Sequence, residues 1–205
     1  MALPKLTNSA PTQEDWNVFS LGARDDLIAI ANRFGEGALN SDEFMNEMHA
    51  ILEELHGEAA FLGRRLAGDM SPYNAIDSAF GKLVAENQRE FLEQFAADLR
   101  YGRYVDDDGN LNMDMVNARA QSYAGRLRGT ADESFVGMSD DDAWFIWHLG
   151  GEHNCTECPV IAQGSPYTKA TLPTMPGANE TPCLYNCNCW LEREDGVLSF
   201  KPDDE

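Results

Sequence analysis

The chain has 205 residues, 43% hydrophobic and 10% aromatic, which suits one domain or one domain with a small appendage and excludes bulk disorder. Thirty-five acids against 15 bases give a net charge of −20, with 26 against 12 in residues 1–142 and 9 against 3 in residues 143–205, so the surface repels a nucleic-acid duplex instead of neutralising its phosphates. No apolar run approaches ~18 residues, so no membrane span is expected, and the opening MALPKLTNSAPTQEDW lacks the basic-then-apolar order of a signal peptide.

Residues 1–12 read as an extended arm carrying Pro4 and Pro11. The spacing of Trp16, Phe19, Ala23, Leu27, Ile30 and Phe34 predicts a first helix over about 12–34, ended by Gly35 and Gly37. Asn40 precedes Glu43 by three, a capping-box pattern. Phe44, Met48, Ile51, Leu55, Ala59, Leu62 and Leu66 then repeat at steps of three and four. That is one buried face of a helical bundle, or the seam of a coiled coil. Gly68 closes the helix. Ser71-Pro72 is expected to open a third, with Ile76, Phe80, Leu83, Val84, Phe91, Leu92, Phe95 and Leu99 as its apolar stripe. The run from Asp106 to Asn110 makes a loop. A fourth helix starts near Asn112 and passes Val116, Ala120, Tyr123 and Leu127; its Arg119, Arg126 and Arg128 are expected to pair with carboxylates.

The texture changes near Ser139–Ala143. The aromatic, β-branched run Ala143–Leu149 predicts a strand, and Cys189–Arg193 a second, with a short third at Val197–Phe200. Residues 150–186 are rich in Gly, Pro, Asn and Thr, and little regular structure is expected there.

All five cysteines fall in this part, as Cys155-x2-Cys158, then Cys183-x3-Cys187-x-Cys189. A Cys-x2-Cys knuckle lets two thiolates reach one tetrahedral ion, and four thiolates make a closed zinc site. An irregular, polar segment of this length cannot order itself by burial, whereas structural zinc supplies an apparent ~10–16 kcal/mol. Disulfides and free thiols are the competing readings, and an odd cysteine count weighs against full pairing. The candidate ligands are Cys155, Cys158, Cys183, Cys187 and Cys189. Cys155 and Cys158 are the firmest, Cys183 and Cys187 are favoured over Cys189, and His153 is a substitute.

Three catalytic patterns are weaker. His56-Gly57-Glu58 imitates a deaminase His-x-Glu but lacks the Pro-Cys-x2-Cys partner. Glu152-His153-Asn154 suggests a nuclease finger without its second His. Asp106, Asp108 and Asn110 alternate like a calcium loop, but Leu111 stands where Gly is needed. No catalytic residue is therefore assigned.

One combination of residues is specific. Trp144, Glu152-His153-x-Cys155-x2-Cys158, Leu172-Pro173-x2-Pro176-Gly177 and Thr181-x-Cys183-x2-Asn186-Cys187-x-Cys189-x-Leu191 together resemble the C-terminal module of tailed-phage head-morphogenesis proteins, the minor head proteins related to Mu F. The resemblance covers residues 144–191. Asn188 stands where that family commonly has Arg, and Cys183 roughly where many members have His. The helical part is similar only in style, in segments such as 91–104 and 118–123. The resemblance implies a non-enzymatic virion or assembly protein, present in the virion and in the host cytoplasm during assembly. Portal, capsid or neck components would be its partners, with room for a homo-oligomer. The alternatives are a zinc-dependent nucleic-acid-processing enzyme and a cellular zinc-ribbon adaptor.

The expected fold is therefore mainly α with a small C-terminal β-rich zinc-binding module. Residues 1–140 form a bundle of about four helices, residues 141–205 the Cys-rich module, and each has its own core. The long apolar stripes also predict an exposed apolar face on the helices.

Overall fold

A computed structural model describes residues 9–106, 108–151, 154–178 and 180–202. Helix α1 runs Gln13–Gly35. It starts there because Thr12 and Asp15 cap each other: the Asp15 amide donates to the Thr12 hydroxyl, and the Thr12 amide donates to the Asp15 carboxylate at 2.8 Å. Helix α2 spans Ser41–Ala67 behind the expected Asn40–Glu43 capping box. It ends at Gly68, whose φ of 111° suits a residue without a Cβ.

Helix α2 is the hub of the body and packs against α1 and three later helices. These are α3 (Ala75–Asn87), α4 (Arg89–Arg100) and α6 (Leu127–Met138), while α5 (Met113–Ala124) lies on α1. The four helices expected before residue 140 are six among the described residues. The third is broken at Gln88, whose side chain is buried against His56. The fourth turns at Gly125-Arg126.

The third helix also begins later than Ser71-Pro72 suggests. Asn74 is its cap, and it accepts from the Ile76 amide. Buried Arg64 fixes the loop before it, donating to both Asp77 carboxylate oxygens at 2.9 and 2.8 Å and to Ser71 Oγ at 2.6 Å. Helix α3 does not bury its bulky stripe. It lies on α2 through Asp77, Gly81 and Ala85, and a Cβ at Gly81 would meet the Gly57 backbone at 2.5 Å. Ile76 and Leu83 consequently face solvent, at 64% and 59% exposure, and Phe91 on α4 is 47% exposed. Within α2, Leu52 is fully buried and Ile51 only partly.

The strands form one three-stranded antiparallel sheet of order β2-β1-β3, with β1 Trp144–His148, β2 Tyr167–Thr168 and β3 Trp190–Arg193. Helix α7, Cys158–Gly164, precedes β2. It and β2 both lie in the segment expected to lack regular structure. The residues at 197–200 follow β3 back, with Arg193 N donating to Val197 O and Ser199 N to Leu191 O, both at 2.8 Å.

Residues on both sides of position 140 belong to one buried cluster, so the separate cores expected are a single one. Phe135 of α6 meets Phe145 of β1 edge-on at 5.8 Å, and Trp16 of α1 stacks on Phe200 at 4.8 Å. Rings of this size dominate core energetics, and paired geometries add about 0.5–1.5 kcal/mol each. Arg193 ties the seam, donating to Ala67 O at 3.1 Å and Ser139 Oγ at 3.0 Å. Among the described residues, no helix is long and apolar enough to cross a membrane.

Candidate metal centre

The five cysteines come from the loops and short elements that β1 and β3 bracket. Cys155 lies in the turn after β1, and Cys158 is the first residue of α7. Pro159 then occupies the first turn of α7, where no amide donor is missed. Cys183 and Cys187 flank the 3-10 turn Leu184–Asn186, and Cys189 immediately precedes β3. Gly150 admits the second loop: a Cβ there would sit 1.8 Å from the Asn188 carbonyl oxygen. Leu184 has a φ of 53°, a left-handed conformation rare for a γ-branched side chain and held by the loop around it.

Cys158 Sγ is the centre of the cluster. It lies 3.2 Å from Cys155 Sγ, 3.6 Å from Cys183 Sγ and 3.8 Å from Cys187 Sγ. Two trios are each mutually close enough for one ion, Cys155–Cys158–Cys183 and Cys158–Cys187–Cys189. The fold therefore gathers all five predicted residues, and the cluster could hold a metal ion. Cys158, Cys187 and Cys189 are buried, and Cys155 and Cys183 are partly open. His153 lies outside the described residues.

The surroundings divide the thiols. The Cys189 thiol and amide donate to Cys187 and, against the opposing effect of burial and with the Arg128 charge nearby, hold it down at about 4. Burial raises Cys155, but hydrogen bonds from the Cys158 amide and thiol and from Cys183 outweigh it and bring it to about 7. Burial pushes Cys183 up to about 11, despite a hydrogen bond with the Thr181 hydroxyl. Cys158 is pushed up by burial first and then by its sulfur neighbours. Cys189 is pushed up because it is the donor to Cys187. A bound cation favours the thiolate at every position.

Arg128 supports the cluster from below, and the sequence gives little sign of it. Its guanidinium donates to the carbonyl oxygens of Cys187 and Cys189, the latter at 2.5 Å, and not to a carboxylate as expected. Arg119 lies over the rings of Phe95 and Tyr123, and Arg126 over Phe91. Asp132, one turn beyond Arg128 on α6, is fully buried. Burial raises its carboxyl to about 8, against the pull of the Arg128 charge, and neither of its oxygens has a hydrogen-bond partner among the described residues.

The weaker patterns have structural partners in the body. His56 is fully buried, with Nδ1 at 2.7 Å from Thr130 Oγ1 and Nε2 against the Gln88 amide. Burial holds it down at about 3. In the acidic loop, Asp106 Oδ1 accepts from the amides of Asp108 and Asn110, a side-chain-closed turn. Family models, curated proteins and solved structures were all compared with the chain, and none of them matches it.

Proposed function

We propose that the protein is a non-enzymatic phage assembly or virion protein of the minor-head type, whose C-terminal module is fastened by one structural zinc. The observation that carries this reading is the convergence of all five sulfurs, from a pattern resembling the head-morphogenesis module, onto the seam between sheet and helical body. Tetrahedral zinc with Zn–S near 2.3 Å needs sulfurs about 3.8 Å apart. The three distances from Cys158 support that spacing. Cys155, Cys158, Cys183 and Cys187 are the preferred ligands, and Cys189 is the hydrogen-bond donor beside them.

Four thiolates leave a zinc ion no open position for water, which suits a structural role. Virion partners such as portal, capsid or neck proteins are consistent with the exposed apolar side chains of Ile76, Leu83 and Phe91. The acidic surface, at −20, selects partners by charge and disfavours nucleic acid as the primary ligand. The protein would act in the host cytoplasm during head assembly and pass into the virion.

Two measurements test this together. Elemental analysis of protein purified without added metal should give one zinc per chain; substoichiometric zinc with the thiols paired as disulfides refutes the metal assignment. Co-expression with portal, capsid and neck proteins from the same genome should give a stable complex with at least one of them. Failure to associate with any of these refutes the virion role.

A further inference from the structure

We propose that the five-sulfur cluster can exchange its zinc for two soft monovalent ions of the copper(I) class, one in each sulfur trio, with the Cys158 thiolate bridging them. The proposal rests on the metal centre described above and concerns what the fifth cysteine adds to it.

A tetrahedral zinc on Cys155, Cys158, Cys183 and Cys187 leaves Cys189 over. Cys189 is nevertheless placed as a ligand is. It forms a trio with Cys158 and Cys187 whose sulfurs lie within 4.8 Å of one another, as do those of Cys155, Cys158 and Cys183. At a metal–sulfur distance of about 2.3 Å, an ion in the plane of three sulfurs needs them about 4.0 Å apart. Cys158 Sγ is 3.6 Å from Cys183 Sγ in one trio and 3.8 Å from Cys187 Sγ in the other. All five sulfurs are used when each trio has its own ion and Cys158 serves both.

A donor without an acceptor points the same way. The Trp147 side chain is 2% exposed, and its indole Nε1 has no hydrogen-bond partner among the described residues. It lies beside the Cys189 sulfur, which the Gly150 amide also approaches. A buried N–H without an acceptor is costly. A Cys189 thiol that donates its own proton to Cys187 is a poor acceptor, whereas a metal-bound Cys189 thiolate accepts from both N–H groups.

The second trio selects the ion. Cys158, Cys187 and Cys189 are each 1% exposed, so water does not reach them to complete a coordination shell. The Asn154 amide oxygen, 3.9 Å from Cys189 Sγ, is a donor for hard ions. Zinc requires a fourth ligand. Copper(I) favours thiolates and is satisfied by three of them. Five thiolates outweigh two monovalent ions, and Arg128, bonded to the carbonyls of Cys187 and Cys189, sets a positive charge against the excess.

The test is anaerobic titration of the full, zinc-loaded chain with copper(I), buffered by a chromogenic copper(I) chelator. Metal content is read by native mass spectrometry and coordination by X-ray absorption. Two copper ions per chain are expected, with release of the zinc, three sulfurs around each copper and a copper–copper scattering path. Cys189→Ser should keep its zinc and stop at one copper. Trp147→Phe, which preserves the ring and removes the N–H, should keep its zinc and bind the second copper about tenfold more weakly. One copper in the parent, two in Cys189→Ser, a second copper indifferent to Trp147→Phe, or two zinc ions in the chain as purified overturns the proposal. A chain that is purified without zinc fails the earlier reading instead; its reduced thiols are titrated in the same way, and the copper count still decides this one.

Discussion

Arg128 donates a hydrogen bond to the main-chain carbonyl of Cys189, 61 residues further along, at 2.5 Å. With its second bond to Cys187, this links the largest helical contact in the molecule, α6 on α2, directly to the loop that carries the sulfurs. Replacing Arg128 by Met leaves two buried carbonyls without a donor. The expected cost is about 2–5 kcal/mol of stability, with metal binding weakened about 10–100-fold through loss of outer-sphere support. Urea unfolding and competition with a metal chelator measure the two effects separately.

Because Cys158 belongs to both sulfur trios, its loss should be the most damaging of the five. Cys158→Ser is expected to abolish stoichiometric metal binding, while Cys189→Ser retains it. Since both parts share one buried cluster, chelation should also lower the unfolding midpoint of the helical body. A helical melting curve indifferent to chelator would contradict that shared core.

Two fully buried groups push stability in opposite directions as pH changes. His56 is held neutral in the folded chain, with its pKa lowered from 6.5 to about 3. Its unfolded form takes up a proton first, so stability is full above pH 6.5 and is lost as pH falls towards 3. Asp132 is raised from 3.8 to about 8. Its folded form keeps the proton, so that contribution is full below pH 3.8 and is lost as pH rises through 8. Between pH 4 and 6.5 the two slopes offset each other. Between 6.5 and 8 only Asp132 of these two changes, and its contribution to stability should fall. Asp132→Asn should remove that fall, and His56→Gln should expose a steeper decline from pH 4 upwards; denaturant midpoints across pH 4–8 check both.

Glycine substitutions separate contact from propensity. At Gly63 a Cβ would lie 1.9 Å from the Ala131 carbonyl oxygen. Gly63→Ala must force α2 and α6 apart and should cost about 2–4 kcal/mol. Gly137, near the end of α6, has nothing within 4 Å of such an atom. Gly137→Ala should stabilise by up to about 1 kcal/mol through helix propensity alone. Thermal midpoints of the two variants should move in opposite directions.

The parts legible in the sequence are those that carry a local signal. Asn40 and Glu43 announce the start of α2, the run at 144–149 announces β1, and the cysteine spacing announces the cluster. What escaped depends on distant partners. A stripe of large apolar residues such as Ile76 and Leu83 predicts an apolar face, but not which residues of the helix touch a neighbour. Helix α3 instead approaches α2 through Gly81 and Ala85, where small size permits close backbone contact. Gln88 breaks its helix to meet His56, 32 residues earlier, and no local pattern reports that. Arg128 sits in a basic stretch, and its service to two carbonyls of the sulfur loop has no signature in spacing.

The stacking of Phe200 on Trp16, with the Gln13–Lys201 bonds beside it, ties the covering of α1 on the ribosome to a segment made much later. Helix α1 emerges early, but its aromatic face stays uncovered until residues about 185 positions later have left the exit tunnel. The body can be held together by α2, α3 and α6 in the meantime. The aromatic face of α1 is therefore sealed late, and until synthesis passes Phe200 that face is a natural place for a chaperone to bind.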